Sequence, residues 1–178
     1  MKKGYLLILN TVWGLLVASC NPYNPSPQPV APTEYAKAYV EAHGQCYDSI
    51  QASVLSLDLY SAGLELDSAY RMRGSGYNLY LSDIFVTDSL LSPGSYTTGT
   101  TGEQFSFLPG KNYEGLPTGT YLLQVADGAL TSITLMDSGR MEVRDTADGI
   151  VDIRFTLYHG RETYDAHFQG PLSTKQDE

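Results

Sequence analysis

Basic residues are scarce in this 178-residue chain: eleven lysines and arginines stand against twenty aspartates and glutamates, a net charge of −9. That balance repels the phosphates of nucleic acid and of anionic lipid headgroups, so nucleic acid is not expected as a partner, and membrane attachment has to come from something other than charge. Histidine supplies three residues and cysteine two. There is no Gly-x-Ser-x-Gly elbow, no His-Glu-x-x-His, no Cys-x-x-Cys and no phosphate-binding glycine loop, so no catalytic, metal or cofactor motif is available. The apolar stretch over residues 4–17 is too short to span a bilayer comfortably.

That stretch has another use. Lys2 and Lys3 precede it as a basic segment, and Leu16-Val17-Ala18-Ser19-Cys20 closes it. A short apolar run between a basic start and small residues is an export signal. Its ending resembles the lipobox of bacterial lipoproteins, in which small residues let a signal peptidase seat the backbone and the cysteine thiol accepts a diacylglyceryl group. The resemblance implies that residues 1–19 are removed, that Cys20 is lipidated, and that the mature chain has 159 residues with a net charge of −11. Each buried methylene of the acyl chains is worth about 0.8 kcal/mol, so such an anchor is effectively permanent. Trp13, the single tryptophan, would leave with the signal. Cys46 would then be the one remaining thiol, and no intrachain disulfide could form.

Residues 20–34 are expected to be a tether. Five prolines fall among Asn, Ser and Gln between Asn21 and Pro32, which favours an extended, solvated backbone. At roughly 3.1 Å per residue, a dozen such residues reach about 35 Å. Residues 35–172 are expected to form one domain, since they suffice for one hydrophobic core and are too few for two. Residues 173–178 read as a polar tail.

Within that domain the apolar period is two. Leu55, Leu57 and Leu59 alternate with Ser56, Asp58 and Tyr60, while Tyr77, Leu79 and Leu81 alternate with Asn78, Tyr80 and Ser82. Phe105 and Phe107 flank Ser106. Residues 35–43 satisfy both helix propensity and strict alternation, and alternation is the stricter match. Gly, Pro, Asp and Ser clusters at 61–63, 73–76, 92–94, 109–112 and 117–119 read as turns. The expectation is an all-β fold, a single antiparallel β-sandwich, with a closed or partly open β-barrel as the alternative.

The last strands are specified in more detail. Met141 and Val143 face one way and Arg140, Glu142 and Arg144 the other; beyond the 145–149 turn, Val151, Ile153, Phe155 and Leu157 oppose Asp152, Arg154 and Thr156. A one-residue slip would expose the apolar set, so only registers two apart compete. The register that sets Arg144 opposite Asp152 and Glu142 opposite Arg154 pairs unlike charges, each pair worth roughly 0.2–1 kcal/mol. The next hairpin turns at residues 159–162 and places Ala166 opposite Phe155. His167 and Asp165 then point outward with Arg154 and Thr156, which reads as a solvated strand face.

Leu91-Ser92-Pro93-Gly94-Ser95-Tyr96 and Leu116-Pro117-Thr118-Gly119-Thr120-Tyr121 echo each other, and turn chemistry accounts for both. Together with the lipobox, the proline-rich stretch and the closing Tyr164-Asp165-Ala166-His167-Phe168-Gln169-Gly170-Pro171-Leu172, these segments resemble small Bacteroidota outer-membrane lipoproteins of unknown function. The resemblance implies a β-sandwich-like domain on an outer-membrane lipid anchor. Surface-exported members often carry acidic residues soon after the cysteine; Asn21-Pro22-Tyr23-Asn24-Pro25 has none, which leaves periplasm-facing and surface-exposed positions both open.

Thirteen tyrosines remain after the signal, and tyrosine is amphipathic enough to serve interfaces or to stack on sugars. Tyr60 and Tyr80 occupy the polar phase of their strands and are the candidate binding surface. His43 and Cys46 are three apart, but nothing around them carries a protease signature, and Cys46 reads as packing. Asp145-Thr146-Ala147-Asp148-Gly149 lacks the spaced acids of a calcium loop and reads as a tight turn. The expected function is a non-catalytic, lipid-anchored envelope module with a protein or glycan partner. The alternatives are a small envelope hydrolase using two carboxylates, and a barrel carrying an apolar ligand.

Overall fold

Alternation becomes strand almost wherever it occurs. The computed structural model describes residues 31, 33–47, 50–88, 90–146 and 149–174. The signal, Cys20, most of the tether and the last four residues lie outside the described residues. The β structure belongs to the unit that begins at Ala31.

Among the described residues sixteen strands run in chain order. They are β1 Glu34–Tyr35, β2 Lys37–Gly44, β3 Ser53–Tyr60, β4 Leu64–Leu66, β5 Met72–Gly74, β6 Gly76–Val86, β7 Gly94–Thr98 and β8 Ser106–Phe107, followed by β9 Lys111–Tyr113, β10 Leu116–Thr118, β11 Thr120–Ala126, β12 Ala129–Leu135, β13 Ser138–Asp145, β14 Ile150–His159, β15 Glu162–Pro171 and β16 Ser173–Thr174. Twelve of them form one sheet, ordered β1-β15-β14-β13-β7-β8-β6-β3-β2-β16, with the β11–β12 hairpin attached to β6. The all-β expectation holds, and the main sheet is a single curled one.

The curl follows from the pairing at the two ends of that order. β1 pairs in parallel with β15, Glu34 opposite His167 and Tyr35 opposite Phe168. β16 pairs in parallel with β2, Ser173 opposite Tyr39 and Thr174 opposite Val40. Only Ala36 separates β1 from β2, and only Leu172 separates β15 from β16. The first and last long strands therefore meet along one seam, which brings the edges of the sheet together. The polar tail is thus shorter than its composition suggests, because Ser173 and Thr174 belong to the sheet.

Inside the curl, Leu55, Leu57, Leu59, Leu79, Leu81, Ile84, Tyr96, Phe107, Met141 and Ile153 belong to one buried cluster. Those side chains line the interior with apolar groups. The charge argument for β13 and β14 is met: Glu142 stands opposite Arg154, Arg144 opposite Asp152, and Phe155 opposite Ala166. The close contacts also run along each strand, Arg144 to Glu142 at 2.9 Å and Arg154 to Asp152 at 3.1 Å. Each of these four charges thus has an unlike neighbour both beside it and across from it.

Three expectations are corrected. Tyr35 and Ala38 both join the core although they are three apart, because the alternation breaks at Ala36, whose N–H turns to the carbonyl of Tyr60 at 2.8 Å. Segments 73–76 and 117–119 are not simple turns, since Met72–Gly74 and Leu116–Thr118 are arms of two small hairpins, β4–β5 and β9–β10. Cys46 is exposed rather than packed.

The β4–β5 flap is organised by one carboxylate. Asp67 Oδ1 accepts the backbone N–H groups of Ala69 and Arg71 at 2.9 and 3.0 Å, and Oδ2 accepts from the side chains of Arg71 and Arg73. These donors, the Arg71 N–H foremost, lower the Asp67 carboxyl from 3.8 to about 2. A carboxyl depressed on folding stabilises the native state above its unfolded value and loses that contribution as pH falls from 3.8 towards 2. The protection factors of the flap amides, intrinsic exchange rate over observed rate at each pH, should fall from about pH 5 to about pH 2 in the native protein; in Asp67→Asn they should be low already at the upper end.

Tyr77 packs against the core with its hydroxyl buried and without a hydrogen-bond partner among the described residues. An unmade hydrogen bond gives nothing back for the desolvation it costs, so Tyr77→Phe should leave urea stability unchanged or raise it by up to about 1 kcal/mol.

Candidate functional site

The outward side chains of four neighbouring strands form a row. Tyr39 on β2 stands opposite Asp58 on β3, Asp58 opposite Tyr80 on β6, and Tyr80 opposite Tyr121 on β11. The adjacent row sets Tyr60 opposite Asn78 and Asn78 opposite Leu123. Two-residue periodicity explains the gathering: with Leu57, Leu59, Leu79, Leu81 and Leu122 committed to the core, the residues between them must face outward.

Tyr121 owes its direction to a backbone constraint. Gly119, between β10 and β11, has φ 73°, and a Cβ there would lie 2.0 Å from the carbonyl oxygen of Pro109. Only glycine permits that turn. Thr120 then buries its side chain, its Oγ1 donating to the carbonyl of Leu108 at 2.7 Å, and Tyr121 points out.

A carboxylate lies beneath these rings. Asp58 is 4% exposed. Asn78 Nδ2 donates to Asp58 Oδ1 at 3.0 Å and to the carbonyl of Leu59 at 3.2 Å, and the Tyr60 hydroxyl also hydrogen-bonds Asp58. Such donors are what a buried carboxylate requires. Burial raises the hydroxyl pKa of Tyr60, and the neighbouring Asp58 charge adds to it. Burial likewise raises that of Tyr121, with Tyr80 and Asp58 contributing.

The two tyrosines singled out from sequence are therefore neighbours, but they differ in exposure. Tyr60 is 3% exposed, a correction to the expected surface position. The β4–β5 flap lays Leu64, Leu66 and Met72 against Tyr39, Tyr60 and Val125, and the rings of Tyr39 and Tyr60 meet edge to face at 5.7 Å. Tyr80 is half-buried, its ring centroid 5.1 Å from that of Tyr121, also half-buried. Tyr39, Asp58 and Tyr121 were not singled out by sequence reasoning. The period-two phase places Asp58 on the polar face, but nothing local pairs it with β11.

Beyond Tyr121 the same face turns apolar. Leu123 stands opposite Ile133, and Val125 opposite Leu130. Ile133 and Leu130 are 43% and 54% exposed. Among the described residues β12 pairs with β11 alone, and its sequence ALTSITL carries neither the charge nor the proline that usually guards a sheet edge.

The other sequence candidates separate. His43 Nε2 lies 3.0 Å from Ser56 Oγ, while the Cys46 thiol donates to the carbonyl of His43 at 3.0 Å, so ring and thiol each have a different partner. The polar face of β14 and β15 forms as expected. His167 Nδ1 lies 2.9 Å from Glu34 Oε2 and its Nε2 3.1 Å from Asp152 Oδ1, which ties three strands together across the seam. The Arg154 guanidinium, donating twice to Asp152, holds that carboxyl below the usual range, with His167 contributing. Asp165 accepts from Thr156 Oγ1 at 3.0 Å. Among the described residues no group of three His, Cys, Asp or Glu is placed to hold a metal ion.

No family model matches the chain, and neither the curated proteins nor the solved structures yield a match. The site is consequently read from its own geometry.

The buried polar contacts have a measurable cost of removal. Asp58→Ala strands the Tyr60 hydroxyl and one Asn78 donor in a buried setting, and urea denaturation should show a loss of about 2–3 kcal/mol, with a smaller loss for Asp58→Asn.

Proposed function

We propose that this protein is a non-catalytic binding module of the cell envelope, held at the outer membrane by lipid on Cys20, which engages a protein or glycan partner through the Tyr80–Tyr121 face. The observation that carries the reading is the half-buried pair of tyrosine rings, 5.1 Å apart, set on a rigid sheet beside the exposed Leu130 and Ile133. Tyrosine supplies a large contact area and a polar tip at little entropic cost, and the sheet fixes its orientation before a partner arrives. Asp58, packed below, braces the row from the inside. The carboxylates of the β14–β15 face are already engaged, Asp165 by Thr156 and Asp152 by Arg154 and His167, which favours binding over hydrolysis.

Two linked measurements test this. The full chain should incorporate labelled palmitate and partition into detergent, and Cys20→Ser should lose both. Glycan arrays and photo-crosslinking in envelopes should identify a ligand whose retention falls about tenfold or more in Tyr80→Ala and Tyr121→Ala, with Tyr→Phe largely spared. Circular dichroism would establish that the variants remain folded. A native chain that retains nothing, or a ligand held equally by both alanine variants, would overturn the binding reading; an unlabelled native chain would overturn the anchor.

A further inference from the structure

The outer surface of β13, β14 and β15 holds a cleft of about 280 Å³, separated from the tyrosine face by β7 and β8 in the strand order. Its composition is not that of an ordinary solvated strand face. Across it, Arg140, Thr156 and Asp165 stand directly opposite one another on three successive strands. With neighbouring strands about 4.8 Å apart, Arg140 and Asp165 stand roughly 10 Å apart at the backbone, with the threonine between them.

The other charged groups of the cleft are engaged. Arg154 is turned to Asp152, Glu142 to Arg144, and His167 lies between Glu34 and Asp152. Arg140 has no carboxylate within ion-pair distance among the described residues, although the chain has almost twice as many acids as bases. A free guanidinium in a concave site presents a planar fork of donors matched to a carboxylate. On the opposite wall, Asp165 and Glu34 each already interact with one neighbour and keep acceptor capacity for neutral donors.

We propose that this cleft binds a hexuronic-acid residue, free or chain-borne, with its carboxylate on Arg140 and its ring hydroxyls on Asp165 and Glu34. At about 280 Å³ the cleft falls just below the roughly 300–1,000 Å³ usual for ligand sites, which limits it to about one sugar ring. The hydroxyls are as necessary as the carboxylate. The acidic protein repels a simple anion at long range, and the single guanidinium has to be assisted by the acceptors on the other wall. An amino-acid zwitterion fits less well, because its one ammonium group cannot use acceptors spread over two strands. The cleft and the tyrosine face are independent, and the inference does not rest on the function proposed for that face.

Calorimetry on the full chain in detergent micelles tests it, with glucuronate, galacturonate, trigalacturonate, glucose, acetate and alanine as probes. Glucuronate should bind while glucose, acetate and alanine do not. With monomeric galacturonate as the matched free acid, equal affinity for trigalacturonate would mark the chain-borne residue as a natural form, whereas binding of the monomeric uronates without the trimer would mark the free acid. Arg140→Ala should weaken glucuronate binding at least about tenfold, Arg140→Lys should keep part of it, and Asp165→Asn should weaken it without change in the melting temperature. Tyr121→Ala should leave it unaltered. No heat with any uronate, acetate or alanine binding as well as glucuronate, full binding by Arg140→Ala, or loss in Tyr121→Ala would each overturn the proposal.

Discussion

The short parallel seam between the first and last long strands is the contact on which the structure depends. β1 and β2 together supply one edge of the sheet, β15 and β16 the other, and four residue pairs join them. Tyr35 and Phe168, opposite one another at the seam, both belong to the central buried cluster. A single sheet can bury its apolar face only by curling that face on itself, and a curl is maintained only if its edges are occupied. His167 adds a polar clamp at the same place by reaching Glu34 across the seam and Asp152 on β14. Backbone pairing, apolar burial and a charged contact thus act on one narrow strip joining residues far apart in the chain.

Because the apolar face is inside, everything that distinguishes one part of this protein from another lies on the outer face. That face is divided among three surroundings. Over β2 and β3 the β4–β5 flap covers Tyr39 and Tyr60, and over β6 and β11 the tyrosines are half open. Over β13 to β15 the surface is a grid of charges. β3 shows the consequence most clearly, for it is buried on both faces along nearly its whole length, with Asp58 and Ser56 hydrogen-bonded on the outer one. A polar residue under a flap is tolerated when its donors are provided by neighbours, and Asn78 and Tyr60 provide them for Asp58.

Much of this was legible before any coordinates. Alternation marks the strands because side chains of a pleated strand point to opposite sides in turn, and it identifies Leu55, Leu57, Leu59, Leu79 and Leu81 as core. The β13–β14 register followed from charge, since the competing register placed like charges opposite each other. Tyr60 shows where such reasoning stops. Its phase correctly places it on the outer face, but phase says only which side of a sheet a residue occupies, and the Leu64–Leu66 and Met72–Gly74 arms that cover it come from a separate hairpin.

The amino-acid sequence by itself determined strand positions, the inward set, the turn at Gly119, the strongly acidic balance and the lipobox-like segment ending at Cys20, because each depends on residues close together in the chain. The tertiary structure alone decided that the ends meet at a seam, that Tyr80 lies beside Tyr121, and that Arg140 faces Asp165 across Thr156. Those are contacts between strands brought together by long-range pairing. Pairing partners are selected by the burial of the whole inward face, a property that no single stretch of sequence carries.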